Sequence, residues 1–108
     1  MDPARIQFLE AALAANPDDR FARYALAMEL SQSTASEGAW KHFEYLLKHH
    51  PDYAATYLQA GVYLARRGQS EEARAVLKEG LDVTRNQGEA HAQHELQEAL
   101  DELDENMK

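Results

Sequence analysis

The chain has no cysteine among its 108 residues, which removes disulfides, thiolate metal sites and thiol catalysis at once. Lysine and arginine are scarce as well, eleven against nineteen Asp and Glu, for a formal net charge of −8. Phosphate binding draws on clustered cations. The densest basic pair here is Arg66-Arg67, so nucleic acid is not an expected partner. No apolar run approaches the roughly 18 residues that a membrane span needs. Nor does the opening MDPARIQFLEAALAANP read as a signal peptide, because Asp2 stands where a basic region belongs and Glu10 interrupts the apolar stretch. The expected compartment is the cytoplasm. β-Branched residues are few and no period-two run is bounded by turn residues, which leaves no candidate strand.

What remains is an ordinary globular composition, 44% apolar and 28% charged, on a chain long enough for one modest core. The apolar residues recur at helical spacing. Ile6, Leu9 and Leu13 make one stripe, Trp40, Phe43 and Leu47 another, and Leu96, Leu100, Leu103 and Met107 a third. Boundaries are readable too. Asp2-Pro3 is a cap followed by proline at the first helical position. Pro17 and Pro51 stop helices, since proline lacks the N–H that a helix interior requires. Ser36 and Ser70 are candidate N-caps, each followed by glutamate, and Gly68 and Gly88 mark breaks. The spacing predicts six helices, near residues 3–15, 20–32, 37–49, 53–67, 71–84 and 89–106.

A shift of 34 residues superposes Pro17 on Pro51, Asp18 on Asp52, Ala27 on Gly61, Leu30 on Leu64, Ser36 on Ser70, Ala39 on Ala73 and Phe43 on Leu77. The coincidences fall on stops, caps and small packing positions, so the period is structural. A helix-turn-helix repeat of this length, with Arg23, Leu26, Ala27 and Leu30 answered by Tyr57, Ala60, Gly61 and Leu64, resembles the tetratricopeptide repeat family. The second helices carry Ala39, Phe43 and Leu46, then Ala73, Leu77 and Gly80, and Pro51 closes a repeat. Leu9, Ala12 and Pro17 match the end of a further second helix. The departures are Arg23 for an aromatic, Leu46 for a small residue, Arg85 for a closing proline, and a turn in SQSTASEG without the glycine that Gly68 supplies later.

The resemblance implies an all-α fold, a right-handed array of antiparallel helix pairs within one domain spanning 1–108. Residues 3–17 are then half a repeat, 20–53 and 54–87 full repeats, and 88–108 a capping helix, acidic outside its apolar stripe. Gly61 would sit where two helices cross closely, and Gly68 at a left-handed cap. It also implies that the first helix of each repeat lines a concave face. Phe21, Tyr24 and Met28 would point there from the first full repeat, and Leu58, Gln59, Val62 and Arg66 from the second, with Tyr53 at the lip. Either this stripe is an open groove for an apolar or amphipathic segment of another protein, or the terminal helices cover it. A clamp for a chaperone's carboxylate tail is not expected. The equivalent positions Tyr24, Met28, Gln59, Glu89 and Gln93 offer no cation.

Chemistry elsewhere is thin. His91 and His94 stand three apart near Glu95 and Glu98, but AHAQHELQE is not HExxH. They are expected to pack against the preceding helix with their tips near solvent, and His42 to lie on a solvated face. No nucleophile-base-acid set emerges, and Ser31, Ser33, Ser36 and Ser70 suffice as caps and loop residues. The expectation is a non-enzymatic scaffold or adaptor with no cofactor and no metal. The alternative is a homo-oligomer, for about two and a half repeats fall short of the roughly three that such stacks need. A homodimer could bury the groove or a stack end.

Overall fold

The computed structural model describes residues 2–32 and 37–107. They form six α-helices: α1 (Pro3–Ala15), α2 (Arg20–Ser31), α3 (Glu37–His49), α4 (Ala55–Arg66), α5 (Ser70–Gln87) and α6 (Ala90–Asn106). No strand occurs among the described residues. The chain divides into two compact units, residues 1–50 and 51–108.

In the first unit, α1 starts as its sequence requires. Asp2 Oδ1 accepts from the amides of Ala4 at 3.0 Å and Arg5 at 3.4 Å, and Pro3 occupies the first turn where no N–H is missed. Asp19 does the same for α2 through the Ala22 amide at 3.1 Å. Leu9, Ala22 and Leu26 form the buried centre, with Ile6, Ala12, Leu13, Ala25 and Leu30 packed against it. Polar links then set direction. Arg5 at the start of α1 pairs with Glu29 near the end of α2 at 2.8 Å. Tyr45 and His50, near the end of α3, both reach Asp18 just before α2. Neighbouring helices therefore run antiparallel. The candidate cap Ser36, and Ser33 with the middle of the SQSTASEG stretch, lie outside the described residues.

The second unit repeats the logic with α4, α5 and α6. Gln87, last residue of α5, donates to the Asp52 carbonyl ahead of α4 at 2.7 Å. Arg74 early in α5 pairs with Asp104 late in α6. The core is Tyr57, Ala60, Tyr63, Leu64, Ala73, Leu77, Leu81, Leu96, Leu100 and Leu103. The glycines act as expected. A Cβ on Gly61 would come within 2.5 Å of Leu77 Cδ2, so the bare backbone is what lets α4 and α5 meet there. Gly68 has φ +78°, and the amides of Gly68 and Gln69 close back on Ala65 and Leu64 at 3.1 and 2.9 Å. This is a Schellman cap, repeated at Gly88 with φ +71°.

Three local expectations need correction. Ser70 is not a cap: it is the first residue of α5, and Gln69 stands at the N-cap without a side-chain bond. The Gly68 turn delivers the chain directly into the next helix, so the cap position falls one residue earlier. α5 also runs on to Gln87 rather than stopping at 84, because Arg85 stands where the closing proline would be and nothing breaks the helix before Gly88. His42 is buried, 7% exposed, not solvated.

Candidate functional site

A cleft of about 420 Å³ opens on the second unit. From α4 it is walled by Gly61, Val62, Ala65 and Arg66, and from α6 by Ala99, Glu102, Leu103 and Asn106, with Leu77 of α5 at its floor. Small residues make the space: Gly61, Ala65 and Ala99 leave room that larger side chains would fill. Leu77 and Leu103 are themselves buried, so the floor is apolar, while Arg66 and Glu102 are exposed at the mouth.

Of the residues expected to line a groove, Val62 and Arg66 meet in this cleft. Tyr53, Leu58 and Gln59 are half-buried in the same unit but are not among its lining residues. In the first unit Tyr24 and Met28 are half-buried on α2, and Phe21 is 65% exposed beneath the Arg20 guanidinium at 5.3 Å. Phe21 borders a second, polar recess of about 410 Å³ with Asn16, Asp18, Asp19, Arg20 and His50. Ala65, Ala99, Glu102 and Asn106 were not anticipated. The signal for the last three lies in α6, where Ala99, Glu102 and Asn106 share a face at helical spacing that reading the helix as a plain cap obscures.

The first unit carries a polar cluster around Arg23. Arg23, in the place of an expected aromatic, lies over the Tyr45 ring at 3.7 Å and donates to the Pro17 carbonyl at 2.5 Å. Its repeat equivalent, Tyr57, donates to the Pro51 carbonyl at 2.6 Å. The substitution therefore preserves a hydrogen bond to the preceding proline. Arg23 also contacts His42 Nδ1 at 3.2 Å. A guanidinium can only donate, so that nitrogen accepts and the imidazole is neutral. Burial first, then the charges of Arg23 and Lys41, push the His42 pKa down from 6.5 to about 4. Hydrogen bonds from Tyr45 and then His50 lower the Asp18 pKa, and the same Tyr45 contact raises that of the phenol.

His91 and His94 do not pack on α5. Their side chains are 88% and 72% exposed and lie beside Glu95 and Glu98, because the buried stripe of α6 runs through Leu96, Leu100 and Leu103. Among the described residues no group of three or more His, Asp or Glu could hold a metal ion. Among them, too, no helix is long and apolar enough to cross a membrane.

A family model described as tetratricopeptide repeat matches residues 1–56. The chain is similar to a tetratricopeptide repeat domain protein from Salinibacter ruber. The crystal structure of that domain is 32% identical with a TM-score of 0.75, over 80% of this chain and 97% of that one. Its solution NMR structure is 33% identical with a TM-score of 0.76, over 82% and 89%. A protein of Bordetella parapertussis, known by its solution structure, is 26% identical with a TM-score of 0.80, over 94% and 88%. Among curated proteins none matches this chain.

Proposed function

The chain belongs to the tetratricopeptide repeat family, and from that premise we propose that it is a non-enzymatic interaction module whose second unit takes a segment of another protein into the cleft between α4 and α6. The observation that carries this reading is the cleft itself. At about 420 Å³ it falls within the roughly 300–1,000 Å³ range of ligand-holding pockets, apolar at the floor with a few polar groups at the mouth. Val62 and Arg66 are its contact residues from α4, with Leu58, Gln59 and Tyr53 beyond it. On the first unit Phe21, Tyr24 and Met28 give α2 an apolar face of its own that suits the same task. The absence of any paired nucleophile and base in the sequence favours binding over catalysis.

The test is capture from lysate of the source cells, comparing wild type with Val62→Asp, which puts a charge into the cleft, and with Tyr24→Ala on α2. Both variants are first checked for an unchanged helical spectrum. A protein held by wild type and lost by Val62→Asp is the expected result. Identical captures by all three would remove the cleft as the binding site. Self-association is a second reading, favoured by Phe8, which is 73% exposed on α1 with Ala4, Ala11 and Ala15 on the same face.

A further inference from the structure

We propose that the occupant of the cleft is a cationic amphipathic segment of another protein, with a leucine- or methionine-sized side chain in the slot and lysine or arginine against α6. This rests on the cleft being the binding site, and adds the chemistry of what enters it. The slot asks for an apolar anchor, since Gly61, Ala65 and Ala99 leave a space floored by Leu77 and Leu103. The charge around it then selects the flanks. α6 carries Glu95, Glu98, Asp101, Glu102, Asp104 and Glu105, with no Lys or Arg. Asp104 is engaged by Arg74 and Glu95 lies beside His91, whereas Glu102 stands on the cleft wall.

The backbone reinforces the sign. Ala65 and Arg66 of α4 and Leu103 and Asn106 of α6 line the cleft from the last turns of their helices, and the C-terminal end of a helix carries partial negative charge that attracts cations. Among the described residues Arg66 is the one basic side chain that lines the cleft, and it belongs to α4. It gives the site polarity: the bound segment sets its cations toward α6 and its polar or acidic side toward Arg66. An acidic segment meets repulsion from α6 and from a chain of net charge −8, which likewise disfavours a second copy as occupant.

Two labelled peptides of equal length decide the matter, with leucines at the same helical spacing and either lysine or glutamate elsewhere. Binding is read by fluorescence anisotropy. The lysine peptide is expected to bind saturably and more weakly as salt rises. Its affinity should fall about ten-fold or more when Ala99→Phe fills the slot, and several-fold in Glu102→Lys. The glutamate peptide should not bind. Val62→Phe is a second slot-filling variant should Ala99→Phe fail to fold, each accepted only with an unchanged thermal midpoint. Equal binding of both peptides, lost in both when the slot is filled, keeps the cleft as a site but overturns its cationic preference. Failure of both peptides to bind overturns that preference as well. Lysine-peptide binding indifferent to the slot variants is diffuse charge attraction, and removes the cleft reading itself. Binding suppressed by self-association of the unlabelled chain assigns the cleft to a second copy and overturns the proposal.

Discussion

Gly80 lies on α5 where a Cβ would come within 2.5 Å of Tyr57 Cβ and 3.1 Å of Leu96 Cδ2. The comparable atom at Gly61 meets the Leu77 side chain, 2.5 Å from Cδ2 and 2.6 Å from Cγ. Replacing a helix-interior glycine by alanine gains about 1 kcal/mol of helix propensity, and forcing a methyl into a packed core costs about 1–3 kcal/mol. Leu77 must swing as a whole about its χ1, because its Cγ is almost as close as its Cδ2, but Tyr57 Cβ is fixed to the α4 backbone and has no torsion to turn. Gly80→Ala is therefore expected to lower stability by up to about 2 kcal/mol, with Gly61→Ala losing less. Urea denaturation of the two variants checks the order, and a stable Gly80→Ala would mean that α4 and α5 can separate without penalty. Gly68 and Gly88 belong to another class. Nothing crowds them, and their positive φ alone explains the residue.

At the scale of the element, the pairing of α2 with α3 is where titration enters. His42 is buried on α3 beneath Arg23 of α2, and must stay neutral. Its folded pKa of about 4 lies below the ordinary 6.5, so the unfolded chain binds a proton more readily throughout that interval. Stability is then fully present above about pH 6.5 and falls as the pH drops toward 4, by up to about 3 kcal/mol. Asp18 adds a loss of the same sign at lower pH, because its lowered pKa favours the carboxylate in the folded state. His42→Gln should flatten the stability profile between pH 6.5 and 4 and leave the more acidic limb in place. A profile in that window identical to wild type would show that the pairing accommodates a charged imidazole.

On the whole molecule, α1 exposes Phe8 together with Ala4, Ala11 and Ala15, an uncharged face on an otherwise acidic chain. Self-association through that face predicts a mass near twice 12.2 kDa by light scattering, returning to 12.2 kDa with Phe8→Glu. A mass of 12.2 kDa at every concentration would set that reading aside.

The helices and the family were legible in the sequence by itself, because proline, capping aspartate and glycine act locally. Pro17, Asp2 and Gly68 work through their own backbone and its nearest amides, and the 34-residue period needs no coordinates. The close approach at Gly61 was legible for a related reason: a glycine inside a helix is costly unless a neighbour fills its space. Tertiary structure decided what depends on two helices at once. It buried His42 beneath Arg23, and gave Arg23 the proline hydrogen bond that Tyr57 makes in the next repeat. It opened the cleft where the small residues of α4 meet Ala99 of α6. Side-chain burial and open space are properties of a pair of surfaces, and one strand of sequence displays only one of them.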